Sequence, residues 1–309
     1  MIKSLNLSLS GRCTARCVYC PSDRGQHDSG MMSSVLVLKL MTEIRSPDFP
    51  WKIQNIQLGE NGDALLNPQF NTITSFIRHC LPSAQMDLTT NMVHMKPSLG
   101  LSILESKALD SIGLNIDGHD AESYEAQKGL RYDTVMSNFM MFMKYREVYQ
   151  PDLRVTINVL PLKDYYNKVL QRFGFPPIEA PSDIPPSSFE QVHDSLKKLD
   201  WITEDVFIRR SPVFFWAERD LPMDFDLTKY RCPQLPRVEQ EAFISPSGQW
   251  YPCCLDANQD QAFGNVSRMT LREVHDSPAR LEFIQRLKDQ EFSEIGYPCN
   301  RVPFCEGML

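Results

Sequence analysis

Residues 11–21 read GRCTARCVYCP, and this short stretch contains Cys13, Cys17 and Cys20. The preceding residues 5–9, LNLSL, alternate apolar and polar side chains, which predicts a β-strand. The cysteines therefore follow the first strand on a loop. Clustered thiols in a reducing compartment more often bind metal or carry out chemistry than form disulfides.

The composition is that of an ordinary globular protein. The chain has 309 residues, 42% hydrophobic and 23% charged, enough for one large domain or a medium domain with a smaller one attached. The net charge of −7 argues against nucleic acid as the main partner, and no stretch is long and apolar enough to span a membrane. Because no signal peptide is evident, we expect a cytoplasmic protein whose nine cysteines stay reduced.

Predicted strands and helices alternate along the first part of the chain. Residues 53–58 and 153–160 are apolar strand-like runs, and amphipathic stretches lie between such runs. This alternation predicts a parallel sheet, in which ligands bind at the carboxyl ends of the strands. The cysteine loop is expected at that edge, together with GENGD (59–63), TTN (89–91) and NIDG (115–118).

The alternation stops near residue 210, where we place a domain boundary. The N-terminal domain is expected to span 1–210 and the C-terminal domain 211–309. The proline-rich stretch 174–188, GFPPIEAPSDIPPSS, is expected to be a long loop or lid. In the C-terminal domain, Ser277 and Pro278 predict the start of a helix.

With Tyr19 just before its last cysteine, the loop resembles the cluster motif of the radical S-adenosylmethionine superfamily. Three thiolates can bind three irons of a four-iron cluster and leave the fourth iron open, whereas a structural zinc site usually takes four ligands. The resemblance implies an α/β fold, a partial (β/α)6 TIM-like barrel. It also implies S-adenosylmethionine as cofactor, beside a [4Fe-4S] cluster held by Cys13, Cys17 and Cys20.

Other segments of roughly the first 160 residues resemble the same superfamily in order. NGD (61–63) stands where the superfamily binds the methionine amino group, with aspartate for the usual glutamate. TTN resembles the third-strand motif, NIDG resembles the Ser-x-Asp-Gly motif near the cofactor ribose, and Lys128 takes the place of a usual arginine. The resemblance therefore implies cofactor contacts by Tyr19, Asn61, Gly62, Asp63, Asn91, Asn115 and Asp117.

The tail carries a second cysteine pattern. From Cys232 to Cys253 it reads Cys-x15-Gly-x4-Cys, which resembles the auxiliary-cluster hairpin of SPASM and twitch domains. The shorter twitch arrangement implies a β-hairpin plus helix and one further [4Fe-4S] cluster, with Cys232, Cys253, Cys299 and Cys305 as ligands. The tail is most similar to that of a dehydrogenase of butirosin biosynthesis, which oxidises an aminocyclitol alcohol. A zinc site that only holds the tail folded is the alternative.

Two residues beside the second pattern have open roles. Cys254 adjoins a predicted ligand and, in an extended strand, points the other way. It is either a small buried side chain or a thiol that gives a hydrogen atom to a substrate radical, as in some radical epimerases. Asp256 either orients a polar substrate or caps a turn.

The resemblance implies a 5′-deoxyadenosyl radical that abstracts hydrogen from a small hydroxylated substrate: a sugar, an aminoglycoside or an aminocyclitol. The outcome is epimerisation with Cys254 as hydrogen-atom donor, or two-electron dehydrogenation. A peptide-modifying (RiPP) enzyme that makes epimers or crosslinks is the alternative. The first strand begins almost at Met1, so we expect no leader-peptide domain ahead of it, which favours the small substrate. An electron donor such as flavodoxin or ferredoxin is the expected protein partner.

Overall fold

The computed structural model describes residues 1–20, 28–59, 61–160, 187–211 and 226–301. Within these ranges nine strands form one sheet. They are β1 (Ser4–Leu7), β2 (Asn55–Leu58), β3 (Gln85–Thr90), β4 (Ser111–Asn115), β5 (Arg154–Val159), β6 (Phe207–Arg210), β7 (Glu241–Ile244), β8 (Gln249–Tyr251) and β9 (Gly264–Asn265).

The described helices follow the strands in the expected alternation. They are α1 (Ser34–Ile44), α2 (Phe70–Cys80), α3 (Pro97–Ser106), α4 (Ala121–Lys128), α5 (Tyr132–Tyr149), α6 (Phe189–Lys197), α7 (Leu235–Gln240), α8 (Leu271–His275), α9 (Pro278–Lys288) and α10 (Phe292–Ile295). Short 3-10 turns add Ala64–Leu66, Leu227–Lys229 and Cys299–Arg301.

The strand order is β6-β5-β4-β3-β2-β1-β7-β8-β9. Strands β1 to β6 are parallel to their neighbours, β7 joins the other side of β1 in parallel, and β8 and β9 are antiparallel. The parallel part is open rather than closed into a barrel. The predicted fold class, a partial barrel followed by a hairpin and helices, is therefore confirmed.

The apolar side chains of the strands form the core. Leu5 and Leu7 of β1 have no exposed surface, nor do Ile56 and Leu58 of β2. Burial of each such side chain stabilises the fold by about 1.5–3 kcal/mol. Because side chains at every second position of a strand point to the same face, an apolar residue at every second position directs that face into the core. The helices that cover this core include α1, which begins behind Ser33, whose hydroxyl accepts a hydrogen bond from the N–H of Leu36 at 3.2 Å.

The tail continues the same sheet. A tight turn over Ser245–Gly248 joins β7 to β8, and its Gly248 has a φ of +93° that other residues rarely adopt. Helix α9 begins at Pro278 behind Ser277, as predicted from the sequence. The proposed boundary near residue 210 remains a prediction.

The predicted lid at 174–188 lies outside the described residues, apart from Ser187 and Ser188. Ser188 caps α6 by accepting a hydrogen bond from the N–H of Gln191 at 3.2 Å. In the part of the chain that the structure describes, no helix has both the length and the apolar character needed to cross a lipid bilayer.

Candidate functional site

The cysteine loop leaves β1 at the carboxyl edge of the sheet and is tied to the end of helix α4. The N–H of Arg16 donates to the carbonyl of Lys128 at 2.8 Å, and the N–H of Val18 donates to the carbonyl of Gln127 at 3.0 Å. A turn between Cys17 and Cys20 closes the loop, with an N–H to carbonyl distance of 3.0 Å. These bonds fix the backbone that carries the three half-buried thiols.

The three thiols are close enough to influence one another's charge. Burial raises the pKa of Cys13 to about 11, and the charges of Asp63, Cys17 and Cys20 add to this effect. No three ligand-type side chains among the described residues are close enough to hold a single metal ion. A cubane cluster takes each thiolate on a different iron and offsets their mutual repulsion, so this loop fits such a cluster.

The NGD segment packs against the cysteine loop without a gap. The N–H of Asp63 donates to the carbonyl of Arg12 at 2.7 Å. Gly62 has a φ of +77°, and a Cβ there would lie 2.3 Å from the carbonyl oxygen of Ser10. Only glycine fits between these backbones, which brings the carboxylate of Asp63 beside the first thiol.

Asp63 is buried and held by its neighbours. One carboxylate oxygen accepts from the N–H of Leu65 at 3.0 Å, and both oxygens lie 3.1 Å from the hydroxyl of Thr90. Burial raises the pKa of Asp63. A buried carboxylate of this kind is well suited to an ammonium partner, because such a partner would stabilise its charge.

Asn91 also reaches the cysteine loop. Its Nδ2 donates to the Sγ of Cys13 at 3.4 Å, and its Oδ1 accepts from the N–H of Val93 at 3.0 Å. Asn61 points elsewhere: its Nδ2 donates to the hydroxyl of Tyr251 at 3.0 Å. The segments predicted to bind the cofactor thus meet at one edge of the sheet, and their individual roles remain predictions.

The buried side chains of Asp117 and Lys128 form a triad with the half-buried Tyr19, which we call the buried triad. The Lys128 ammonium lies 2.9 Å from the Asp117 carboxylate and donates to the Tyr19 hydroxyl at 2.6 Å; that hydroxyl donates to Asp117 at 2.8 Å. The second oxygen of Asp117 accepts from the N–H of Leu160 at 2.9 Å. The triad therefore anchors the cysteine loop, through Tyr19, to the segment that follows strand β4 and to the last residue of helix α4.

Two members of the triad, Tyr19 and Lys128, have shifted pKa values. Burial raises the pKa of Tyr19, and the Asp117 charge adds to the shift. Burial alone would lower the pKa of Lys128, but the charge of Asp117 outweighs it, and the pKa is raised. Tyr19 thus stays neutral, and Lys128 stays charged.

Three cysteines of the tail line a second, smaller site. Cys232, Cys253 and Cys299 border a small cavity whose other walls include Leu255 and Phe292. The segment with Cys299 is fixed by Gln261, whose Nε2 donates to the carbonyls of Ile295 and Tyr297 at 2.9 and 3.0 Å. The apolar walls and converging thiols fit an iron–sulfur cluster. The fourth predicted ligand, Cys305, lies outside the described residues.

Cys254 is buried beside Cys253 but does not border that cavity. Its sulfur accepts from the guanidinium of Arg237 at 3.7 Å. Arg237 lies over the ring of Phe243 and forms two 3.0 Å hydrogen bonds to Glu241, which accepts from Asn6 at 2.8 Å. A chain of polar contacts thus joins the thiol to strand β1.

Asp256 caps a turn. Its two carboxylate oxygens accept from the N–H groups of Asp260 and Gln261 at 2.9 and 3.0 Å, and the side chain has no exposed surface. Of the two roles considered from the sequence, these contacts correspond to the capping role.

The sequence analysis missed a row of polar side chains on the face of the sheet opposite the apolar core. Strand pairing brings these residues, which we call the polar face, onto one side: Asn6, Gln57, Asp87, Thr89, Ser111, Asn115, Thr156, Asn158 and Arg209. Both faces of a parallel sheet are usually apolar. The alternating sequences of β1 to β5 contain this signal, which was used only to identify strands.

Comparison with known proteins identifies the tail. Residues 232–301 match the model of the iron–sulfur cluster-binding domain SPASM. The predicted similarity of the tail to SPASM and twitch domains is thereby confirmed.

Two curated relatives match part of the chain. One is a GTP 3′,8-cyclase of Synechococcus sp. (strain CC9902), 30% identical over 132 residues, which are 42% of this chain and 36% of the relative. The other is a probable GTP 3′,8-cyclase of Methanocella arvoryzae, 26% identical over 123 residues, or 40% of this chain and 37% of the relative. The chain therefore spans little more than a third of these relatives.

Solved structures share the fold over almost the whole chain. BtrN in complex with AdoMet and 2-DOIA is 15% identical with a TM-score of 0.57, covering 95% of this chain and 90% of that one. The protein anSMEcpe with AdoMet and the Cp18Cys peptide is 15% identical with a TM-score of 0.59, and the match covers 92% of this chain and 83% of that one. SuiB of Streptococcus suis is 14% identical with a TM-score of 0.58, and the match covers 92% of this chain and 68% of that one.

These findings agree with the motifs of the cysteine loop and of the strand ends. They confirm the predicted cofactors of the family, iron–sulfur clusters and S-adenosylmethionine. Residues 232–301 form an iron–sulfur cluster-binding domain of the SPASM type, and the chain as a whole resembles the radical S-adenosylmethionine superfamily in its motifs and its fold.

Proposed function

We propose that this protein is a radical S-adenosylmethionine oxidoreductase or epimerase that abstracts hydrogen from a C–H bond of a small hydroxylated substrate. A sugar, an aminoglycoside or an aminocyclitol fits this description. The polar face is the observation that carries the proposal, because it lies on the same sheet whose carboxyl edge carries the cysteine loop. A cytoplasmic location, where thiols stay reduced, belongs to the same proposal.

The polar face suits a ligand with many hydroxyl or amino groups. Gln57 and Thr89 hydrogen-bond across two strands at 3.0 Å, and Asn158 reaches Asn115 at 3.2 Å. Glycine at position 113 leaves this part of the face without a side chain. Amides and hydroxyls that bind one another without a ligand can exchange partners with substrate hydroxyls at small cost, whereas an apolar substrate would leave them unsatisfied.

The residues at the carboxyl edge would hold the cofactors. Cys13, Cys17 and Cys20 would bind the first cluster, with Asp63 facing the methionine amino group and Asn91 supporting the loop. When bound, cluster and S-adenosylmethionine supply a 5′-deoxyadenosyl radical that takes a hydrogen atom from the substrate. Tyr19 and Asp117, through the buried triad, would keep this loop in place, and Gly62 would let it approach closely.

Cys254 would complete an epimerisation. A substrate radical takes the hydrogen atom of the thiol, so that a C–H bond forms, the S–H bond breaks and a thiyl radical remains on sulfur. One electron from an external donor such as flavodoxin or ferredoxin and one proton restore the thiol. The contacts from Cys254 through Arg237 and Glu241 to Asn6 support this role, because they link the thiol to the polar face.

Two-electron dehydrogenation is the second candidate. In this reaction the radical carbon loses an electron and its hydroxyl loses a proton, which leaves a ketone. The cavity lined by Cys232, Cys253 and Cys299 supports it, because a cluster there would accept the electron. The similarity in fold to BtrN, which was solved with AdoMet and 2-DOIA, also favours dehydrogenation. A peptide substrate is a third possibility, since SuiB was solved with its precursor peptide SuiA.

A substrate panel tests the proposal. Anaerobically reconstituted protein is incubated with S-adenosylmethionine, a reductant and one candidate at a time, and 5′-deoxyadenosine is measured. We expect polyols, aminocyclitols or sugars to raise its formation well above the level without substrate. Stimulation by peptides alone would overturn the small-substrate proposal.

A further inference from the structure

Three polar side chains form a row near the carboxyl edge of the polar face. Strand pairing sets Asn115 of β4 opposite Asn158 of β5, and Asn158 opposite Arg209 of β6. Their side chains are connected: Nε of Arg209 donates to Oδ1 of Asn158 at 2.7 Å, and Nδ2 of Asn158 donates to Oδ1 of Asn115 at 3.2 Å.

This row has a fixed direction. An amide can usually turn over and exchange its oxygen and nitrogen, but a guanidinium has only donors. Because Arg209 must donate, Asn158 must present its oxygen to Arg209 and its nitrogen to Asn115. Asn115 in turn presents its own Nδ2 outward, as a donor, which is compatible with the predicted contact to a ribose hydroxyl oxygen.

Arg209 itself keeps two donor nitrogens for a ligand. Its Nε is engaged by Asn158, which leaves the pair Nη1 and Nη2 at the far end of the guanidinium. Two parallel N–H groups of this kind match the two oxygens of a carboxylate or phosphate. Its anchoring by Asn158 means that less side-chain freedom is lost when such a group binds.

The charge of Arg209 is also not balanced within the described part of the chain. Two other arginines of the sheet each face a carboxylate: Arg154 lies 3.9 Å from Asp87, and Arg210 lies 3.0 Å from Glu190. No described carboxylate forms an ion pair with Arg209. A cation on the polar face without such a partner favours a ligand that brings the negative charge.

We propose that Arg209, positioned by Asn158, binds an anionic group of the substrate, a carboxylate or a phosphate. The substrate is then an anionic hydroxylated molecule, such as a sugar acid or a sugar phosphate. This inference rests on the proposed function, which it narrows to one class of substrate.

Inorganic phosphate is the direct probe. Its affinity for the reconstituted protein is measured by calorimetry, for the unmodified chain and for Arg209→Gln, Asn158→Leu and Arg210→Gln. We expect Arg209→Gln to weaken binding at least about tenfold, because a charge-assisted pair of hydrogen bonds is lost. Asn158→Leu should weaken it less, and Arg210→Gln, on the other face of β6, should leave it unchanged. Equal affinity in Arg209→Gln and Arg210→Gln would overturn the subsite.

The cofactor carboxylate is the other possible anion, and its binding is measured separately. We expect Arg209→Gln to leave the affinity for S-adenosylmethionine unchanged; a tenfold loss there, with phosphate binding intact, would assign Arg209 to the cofactor and overturn the proposal.

Glucose 6-phosphate and glucuronate are then compared with glucose as triggers of 5′-deoxyadenosine formation. If glucose is the better trigger, the subsite fails while the small-substrate proposal stands. Activation by peptides alone would instead overturn the small-substrate proposal. The phosphate affinities of the variants would then still show whether Arg209 forms an anion-binding subsite.

Discussion

At the scale of single residues, the buried triad controls how firmly the cysteine loop is held. Tyr19 sits between two predicted iron ligands, and its hydroxyl is shared by Lys128 and Asp117. A charge pair without solvent access contributes little net stability, but removal of one partner is costly because the other charge is left uncompensated. The triad therefore makes loop position depend on residues more than ninety positions away along the chain.

Lys128→Met tests this dependence. We expect the free energy of unfolding to fall by about 3–5 kcal/mol, because the Asp117 carboxylate would stay buried without its cation. Chemical denaturation of the reconstituted protein measures it. Arg131→Gln is the matched control: it removes the exposed Arg131–Glu125 pair, whose loss should cost less than about 1 kcal/mol. Similar losses in the two variants would contradict an anchoring triad.

Asp63→Asn tests the predicted cofactor contact. The amide keeps an acceptor oxygen for the N–H of Leu65 but has no charge for an ammonium group. We expect the affinity for S-adenosylmethionine to fall by about tenfold or more, while the iron content of the protein is retained. Equilibrium binding to the reconstituted protein measures the change, with Asp87→Asn on the polar face as control. An unchanged affinity would remove Asp63 from the cofactor site.

At the scale of elements, the site depends on two backbones in close approach. Gly62→Ala would strain a positive φ and also place a Cβ against the carbonyl of Ser10. Gly296 has a similar φ of +81° but no atom within 4 Å of an added Cβ, so Gly296→Ala measures backbone strain without a close contact, about 1–3 kcal/mol. We expect Gly62→Ala to lower the thermal midpoint further and to reduce cofactor affinity, as measured by scanning calorimetry and binding. Equal changes in thermal midpoint and cofactor affinity for Gly62→Ala and Gly296→Ala would contradict a role for the close approach between residue 62 and the backbone of Ser10.

Most of these elements could be predicted from the sequence. Apolar residues at every second position of LNLSL and of residues 153–160 predict strands. Strand β1 (Ser4–Leu7) overlaps the first stretch, and β5 (Arg154–Val159) lies within the second. The Thr270 and Glu273 capping box at α8 has a local signature and is present. Such features depend on neighbours in the sequence, which is why they can be recognised without the structure.

The contacts that join distant elements could not be predicted in this way. The bond between Cys254 and Arg237, and the row from Asn115 to Arg209, depend on strand register and on which neighbour fills the adjacent space. Periodicity determines which face a side chain occupies but not its partner. The polar side chains of the polar face are visible in the alternation, but only the order and register of the strands show that they form one continuous surface.

At the scale of the whole molecule, two separate cysteine sites predict two clusters. We expect the reconstituted protein to bind about eight irons, as two four-iron clusters. Replacement of Cys13, Cys17 and Cys20 by alanine should leave about four irons and abolish 5′-deoxyadenosine formation. Iron and zinc analysis measures both proteins. Four irons in the unmodified protein, or tightly bound zinc, would contradict an auxiliary cluster in the tail.

The most direct test of the proposed chemistry is turnover in deuterated water with the identified substrate. If Cys254 returns the hydrogen atom, its thiol exchanges with solvent, and the product carries one solvent deuterium on the inverted carbon. Cys254→Ala should then stop product formation while cofactor cleavage continues. Normal turnover of Cys254→Ala to a two-electron-oxidised product without deuterium would contradict hydrogen return by Cys254 and establish dehydrogenation instead.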